Sequence, residues 1–312
     1  MILVTGGTGF IGQALLRHLV EDRRLVRTLI RPSSASPKLP KGVPVNAAIS
    51  SITDERNLRA ALVGVDTVFH LVGGEWLGAR GDLHEIEIEG ARVLVRTCKD
   101  AGVKRIIYLS HLGAERASAY PVLKAKGIAE QHIRRSGIDY TIIRSALVFG
   151  PGDHFTTDIL RLLRFFPFYY PLPGLGDAVL QPIWIDDLVT CLIWSLDKPD
   201  ARNQIYEVGG PEYLSIFQIV HAIMRAAAIK RRMLYVRPSY MRLAAVFLEY
   251  LFPQLPFSVY WLDYLAVNRT AAIDSVARQF GLLPVHFSHR LDYLSPDAKP
   301  RRFKPSDQPS TK

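Results

Sequence analysis

Val4-Thr5-Gly6-Gly7-Thr8-Gly9-Phe10-Ile11-Gly12 decides the fold. It follows a short apolar run, Met1 to Val4, that predicts a β-strand. It precedes Gln13-Ala14-Leu15-Leu16-Arg17-His18-Leu19-Val20, whose apolar residues recur at helical spacing. Glycines at 6, 9 and 12 form the G-x-x-G-x-x-G variant of the dinucleotide fingerprint. Gly6 permits a tight strand-to-helix turn. Gly9 lets the main chain approach a pyrophosphate, whose charge is met by N–H groups at the helix N-terminus. Gly12 lets helix and strand pack closely. Thr8, Phe10 and Ile11 complete the predicted cofactor loop. A glycine-rich turn without a ligand is the plainer alternative; the position at the first strand–helix junction favours the nucleotide.

Working outward, Leu25 to Ile30 predicts a second strand ending in Arg31-Pro32-Ser33-Ser34. In a dinucleotide fold this strand end reaches the adenosine ribose. An acidic residue there suits the 2′-hydroxyl of NAD, whereas a basic or hydroxyl residue suits the 2′-phosphate of NADP. Arg31 with Ser33 therefore predicts NADP(H) in preference to NAD(H), with an exposed loop arginine as the alternative. Val43 to Ile49 predicts a third strand, and a helix capped by Thr53 or Asp54 runs to about Leu62. Val65 to Gly74 predicts a fourth strand whose end, Leu71, Val72 and Gly73, would border the cofactor. His70, flanked by apolar residues, reads as a core histidine. Asp82 to Ala101 predicts one long amphipathic helix closed by Gly102, and Lys104 to His111 a fifth strand. Strands alternating with helices imply an α/β fold, a Rossmann-type doubly wound parallel sheet.

The chain has 312 residues and 48% apolar content, enough for a sizeable core. Its 39 basic and 29 acidic residues leave a net charge of +10, which favours phosphorylated cofactors, nucleic acid or anionic lipid. The excess is scattered, and no recognition-helix module or stacking motif is present, so specific nucleic acid binding is not expected. Cys98 and Cys191 show neither metal-ligand spacing nor a disulfide framework; no metal site is expected, and a reducing compartment is. The nucleotide motif begins almost at residue 1, so no signal peptide is expected, and no apolar run reaches the ~18 residues of a membrane span. A cytoplasmic location follows, with peripheral contact at the inner face of the membrane through 234–267. That stretch is apolar and aromatic, broken by Arg237, Arg242, Glu249 and Asp263, and follows Lys230-Arg231-Arg232. A buried lobe helix is the alternative. From about Asp297 to Lys312 the chain is Pro-rich, basic and aperiodic, and predicts a disordered tail.

Seven stretches in order now carry a resemblance. They are Thr5–Gly12, Gly64-Val-Asp-Thr-Val-Phe-His-Leu-Val-Gly73, Gly102-Val-Lys-Arg-Ile-Ile-Tyr-Leu-Ser110, Ser136-Gly-Ile-Asp-Tyr-Thr-Ile-Ile-Arg144, Val148-Phe-Gly-Pro-Gly-Asp153, Gln181-Pro-Ile-Trp-Ile-Asp-Asp187 and Tyr206-Glu-Val-Gly-Gly-Pro211. Together they resemble the extended, atypical short-chain dehydrogenase/reductases. The likeness is greatest to the group holding the nucleotide-binding accessory subunit of respiratory complex I and its bacterial relatives, with NmrA-like proteins as neighbours. It covers residues 1 to about 215. The resemblance implies a dinucleotide-binding domain over 1–150, with a sixth strand at Asp139–Phe149 and the sheet completed by part of 179–208. It implies a smaller, mostly helical substrate or partner lobe over 151–296. Many relatives have an aspartate at the position of Ser51 that contacts adenine; Ser51 can accept a hydrogen bond but carries no charge. Val179 to Ile185 resembles the strand that returns to the sheet, with Asp186 and Asp187 capping the next helix. Phe155 to Phe166 predicts a helix, and Phe165 to Gly176 an aromatic loop that in the family borders the substrate pocket, open to binding an apolar substrate, a membrane surface or a partner, or to packing over the lobe. Ser215 starts a further helix, and Lys230–Arg232 would end it at the negative end of its dipole. Over 239–267, one or two aromatic helices are separated by Pro253 and Pro256.

The family's chemistry uses a Tyr-x-x-x-Lys pair, one helical turn apart. The lysine lowers the tyrosine pKa, so that the phenol exchanges a proton with the substrate, and it also binds the nicotinamide ribose. Tyr120-Pro-Val-Leu-Lys124 has this spacing, and Ser110 ends the fifth strand as the assisting hydroxyl. A second register is open: Lys126-Gly-Ile-Ala-Glu130 puts Lys126 at the family lysine and Val122 at the tyrosine, and His111 follows Ser110 where some active relatives have the serine. Two functions follow. One is an NADP(H)-dependent oxidoreductase or epimerase acting on a small apolar or carbonyl-containing metabolite. The other is a non-catalytic nucleotide-binding accessory or assembly protein with a protein partner in respiratory or quinone machinery.

Overall fold

Alternation along β1 (Ile2–Thr5) creates two cores: Ile2 and Val4 enter one, Leu3 the other. The computed structural model describes residues 1–33, 39–40, 42–74, 82–251, 259–265 and 267–297. β1 is central in a seven-stranded parallel sheet. The others are β2 (Val26–Ile30), β3 (Asn46–Ile49), β4 (Thr67–His70), β5 (Arg105–His111), β6 (Asp139–Ser145) and β11 (Gln204–Val208), in the order β3-β2-β1-β4-β5-β6-β11. This is the Rossmann order with one strand added, and its direction of winding reverses between β1 and β4. A crevice opens there at the carboxyl ends of the strands. One face of the sheet packs α1 (Phe10–Glu21) and α6 (Ile185–Asp197). The other packs α2 (Glu55–Ala61), α3 (Gly90–Asp100) and α4 (Pro121–Arg134). Cys98 and Cys191 are buried one in each core, and burial pushes both thiols up to about 12.

The rest of the chain is mostly helical: α5 (Phe155–Phe165), α7 (Ile216–Ala226), α8 (Pro238–Leu251), α9 (Val259–Tyr264) and α10 (Ser275–Phe280). Three two-stranded ladders link it to itself: β7 (Val148–Phe149) with β10 (Ile183–Trp184), β9 (Val179–Leu180) with β12 (Leu214–Ser215), and β8 (Tyr169–Pro173) with β13 (Arg232–Val236). Its core is continuous with the α1/α6 side of the sheet: Val4, Phe149, Phe155, Ile219 and Phe287 belong to one cluster. Packing therefore runs unbroken through residue 150.

Several expectations are corrected. Val179 to Ile185 does not return to the main sheet. Gln181-Pro182 interrupts it, because proline has no N–H for a ladder, and β11 is the seventh strand. The sixth strand stops at Ser145, and Val148–Phe149 pairs elsewhere. Asp186 and Asp187 lie in the first turn of α6, whose N-cap is Trp184; Asp186 pairs with His18, and Asp187 accepts the Val285 N–H at 2.8 Å. The helix expected over 82–101 opens with a π-helical turn, His84–Glu89. Lys230–Arg232 follows α7 rather than ending it, and Arg231 Nε donates to the Leu163 and Phe166 carbonyls at the end of α5. Ser215 does cap α7, in a reciprocal capping box with Gln218. Pro253, Pro256 and the tail beyond Asp297 lie outside the described residues.

Candidate functional site

The site begins with backbone. Gly6 has φ +79°, and a Cβ there would lie 2.7 Å from the Leu71 carbonyl oxygen, so any side chain is both strained and blocked. A Cβ on Gly12 would lie 2.1 Å from the Gly6 oxygen, which makes glycine obligatory where α1 folds back on the loop. Gly9 is the N-cap of α1 and offers no capping side chain, and the first turn carries no acid. Among the described residues no side chain caps the N–H groups of this turn, and the dipole presents partial positive charge to the crevice. Gln13 Nε2 donates to the Thr8 carbonyl at 3.0 Å and braces the loop from behind. A cradle a Cβ would fill, beside an uncapped helix end, suits a pyrophosphate.

A cleft of about 170 Å³ runs from Gly6, Gly9, Phe10, Ile11 and Gly12 past Leu71 and Gly73 to Ser110, His111 and Lys126. Leu109, Ala146, Leu147 and Val148 give it an apolar wall, and His154 and Tyr264 stand at its lobe side. Arg31 and Ser33 are exposed just past the carboxyl end of β2, on the opposite side of β1 from Lys126. Ser51 is half-buried after β3, its hydroxyl 3.0 Å from that of Thr53.

The two lysines part company here. Successive residues on a helix turn by 100°, so Lys124 and Lys126 lie about 200° apart. Lys126 falls on the inward face with Leu123, Gly127, Glu130 and Ile133, and is 3% exposed; Lys124 is exposed on the outer face. Lys126 Nζ lies 3.0 Å from Glu87 Oε2, 3.5 Å from the Val72 carbonyl and 5.4 Å from the centre of the Tyr108 ring. Tyr120 is the N-cap of α4, in extended conformation before the helix begins. Its ring meets the Arg269 guanidinium at 5.8 Å, and it is not among the residues lining the cleft. Val122 occupies the turn before Lys126 and has no proton to exchange.

Ser110 is buried, and its hydroxyl donates to Glu130 Oε1 at 2.6 Å. Glu130 is held in turn by Arg144, Nε at 3.0 Å and Nη2 at 2.8 Å, a bidentate pair that raises the arginine's pKa further. A hydroxyl has one proton, and here the carboxylate takes it. His70 is fully buried, as expected of a core histidine. Its Nδ1 is 2.7 Å from Thr5 Oγ1, and burial, then the charge of Lys126, holds it down to about 3, so it stays neutral.

Sequence reasoning missed Glu87, Asp153, His154 and Tyr264. Glu87 hid within an amphipathic pattern read at 3.6 residues per turn, where a π-helical turn shifts it inward. Asp153 left a signal in Asp153-x-x-Thr156: it accepts the Gly150 N–H at 2.8 Å and the Thr156 N–H at 2.7 Å, anchoring the start of α5. Burial raises its pKa against those hydrogen bonds. His154 and Tyr264 reach the cleft only through tertiary packing.

A family described as NAD(P)H-binding matches residues 6–154. An NAD(P)H azoreductase of Xenophilus azovorans is 30% identical over 233 residues, covering 73% of this chain and 74% of that protein. The chain belongs to the atypical short-chain dehydrogenase/reductases. This short-chain dehydrogenase/reductase is also similar to mouse (Mus musculus) mitochondrial NADH dehydrogenase (ubiquinone) 1 alpha subcomplex subunit 9, 27% identical over 228 residues and 70% of this chain. It spans only 59% of that subunit's length. A UDP-glucose 4-epimerase of Thermus thermophilus, solved in complex with NAD, shares the fold at TM-score 0.71 and 19% identity, over 93% of this chain and 96% of that one. The cofactor of this family is a nicotinamide dinucleotide, and the uncapped α1 end with its glycine cradle fits one.

Proposed function

We propose that the protein is an NADP(H)-dependent oxidoreductase or epimerase acting on an apolar or carbonyl-containing metabolite, with Lys126 rather than Lys124 as the lysine that holds the dinucleotide. The observation that supports this is the single cleft joining the glycine loop to the Lys126 ammonium along an apolar wall. With a pyrophosphate at Gly9–Gly12, the adenosine would extend toward β2, where Arg31 and Ser33 suit a 2′-phosphate and Ser51 the adenine. The other half would extend past Leu71–Gly73 toward Lys126. The bound nicotinamide would supply hydride transfer. The chain's own residues exclude water with Leu109, Ala146, Leu147 and Val148 and donate from Lys126 toward ribose. Titration with NADPH and NADH is the test. NADPH should bind the tighter, and Arg31→Ala should weaken NADPH about tenfold, from loss of one charge-assisted contact, while leaving NADH unchanged. Equal affinities before and after the substitution would remove the NADP(H) assignment.

A second reading, nucleotide binding in the service of a protein partner, is favoured by one specific arrangement. Tyr120 lies off the cleft, and the Ser110 proton is committed to Glu130, so the Tyr–Lys relay is not assembled as it stands. The resemblance to a complex I subunit supports the same reading.

A peripheral membrane contact is supported by α8 and the strand before it. Tyr240, Leu243, Val246 and Phe247 are 53–70% exposed, Leu234 and Tyr235 at least 50%, and Arg232 and Arg237 stand beside them. Among the described residues no helix is long and apolar enough to cross a membrane. An apolar face edged by cations suits the surface of an anionic bilayer. The protein should sediment with phosphatidylglycerol vesicles and not with phosphatidylcholine vesicles, and Leu243→Glu with Phe247→Glu should release it; equal binding to both vesicle types would refute the contact.

A further inference from the structure

Glu87 is a fully buried carboxylate in the π-helical turn that precedes α3. Both its oxygens have partners: Oε1 accepts the Gly74 N–H at 2.9 Å, and Oε2 faces the Lys126 ammonium at 3.0 Å. Its neighbours in sequence, Glu85 and Glu89, meet solvent or half-solvent. A π-helical turn adds one residue to the helical repeat, and such turns recur at functional sites because they re-aim a side chain. Here the re-aimed side chain is the acid that meets the cleft's lysine.

Burying this pair is not an efficient way to stabilise a fold, since an apolar pair of equal volume generally does as well. The cation is kept in the cleft, and a counter-charge is kept directly behind it. Lys126 lies on the β5 side of the cleft, away from Arg31, which is the nicotinamide half in the reading proposed above. The two redox states of the cofactor differ there by one charge: the oxidised ring is cationic and the reduced ring neutral. Their adenosine and phosphate groups are identical. An unbalanced ammonium beside the ring would repel only the oxidised form, and in a partly desolvated cleft that repulsion amounts to about a tenfold change in affinity.

We infer that Glu87 is a positioning residue that fixes Lys126 in the cleft and balances its charge, so that the site accepts both the oxidised and the reduced dinucleotide. The Gly74 N–H and the Val72 carbonyl, on the loop after β4, hold the pair in register with the cofactor-side backbone. The inference rests on a nicotinamide dinucleotide occupying the cleft.

The test is calorimetric titration of the full-length chain with NADP+ and with NADPH. Wild type should bind both. Glu87→Gln should weaken NADP+ about tenfold more than NADPH. Glu87→Gln combined with Lys126→Met should restore the wild-type ratio of the two affinities, although both affinities fall. Should Glu87→Gln fail to fold, Lys126→Met alone reads the same charge with opposite sign, strengthening NADP+ relative to NADPH. A loss of equal size for both forms, or an unchanged ratio in Lys126→Met, would overturn the inference and leave Glu87 a structural residue. Wild type that binds neither form would instead overturn the assignment of the cleft to a dinucleotide, and the inference with it.

Discussion

Two helices, α1 and α4, line the same crevice and were written in different languages. The start of α1 is made of backbone: Gly6, Gly9 and Gly12 carry no side chains, and Gly6 and Gly12 are fixed by what a Cβ would strike. The contribution of α4 is made of side chains: Lys124 and Lys126 compete for the lysine's role and Tyr120 and Val122 for the tyrosine's, and only the point at which the helix starts decides between the two registers. Steric exclusion tolerates no shift by one residue, so the first motif can be read from its spacing. A Tyr-x-x-x-Lys spacing has meaning only inside a helix. Here Tyr120 sits at its cap, so the i, i+4 relation between Tyr120 and Lys124 selects no common inward face.

The largest expected effect breaks the backbone side of this comparison. Gly12→Val should weaken NADPH binding by roughly 100-fold or more, because its Cβ would stand 2.1 Å from the Gly6 oxygen and the loop must move to admit it. Gly42, whose added Cβ would meet nothing within 4 Å but whose φ of +75° strains any side chain, does not line the cleft and is the stability control: Gly42→Ala should cost stability and leave NADPH affinity within about twofold. Isothermal titration checks both. Equal losses in the two variants would mean that the glycine loop contributes no more than general stability.

Much of the fold was legible. The apolar run of β1, the apolar spacing of α1, and Gly102 closing α3 could each be read in the chain, and the structure gives Gly102 the φ of +71° that such a closure needs. The parallel, doubly wound sheet followed from alternating strands and helices; its strand order came from the structure. What could not be seen depended on partners distant in sequence. Pro182 splits a stretch that reads as one strand, and its halves find separate partners at Val148–Phe149 and Leu214–Ser215. Arg231 caps the end of α5, 65 residues earlier, rather than the helix it follows. In the site, the glycine loop was legible because it is local, whereas the burial of Glu87 against Lys126 joins two helices and depends on an irregular turn that no periodicity encodes. The commitment of Ser110 to Glu130 was hidden for the same reason: the residues are 20 apart and meet only when α4 packs on β5.

The claim on which the account turns is that Lys126, and not Lys124, holds the dinucleotide. The direct measurement is the dissociation constant for NADPH in Lys126→Met and Lys124→Met, read side by side by protein fluorescence. Removing one charge-assisted hydrogen-bond donor from the cleft should weaken binding about tenfold or more in Lys126→Met, and the exposed Lys124→Met should stay within about twofold of wild type. The reverse order, with Lys124→Met the weaker binder, would contradict the account and return the site to the Tyr120–Lys124 register.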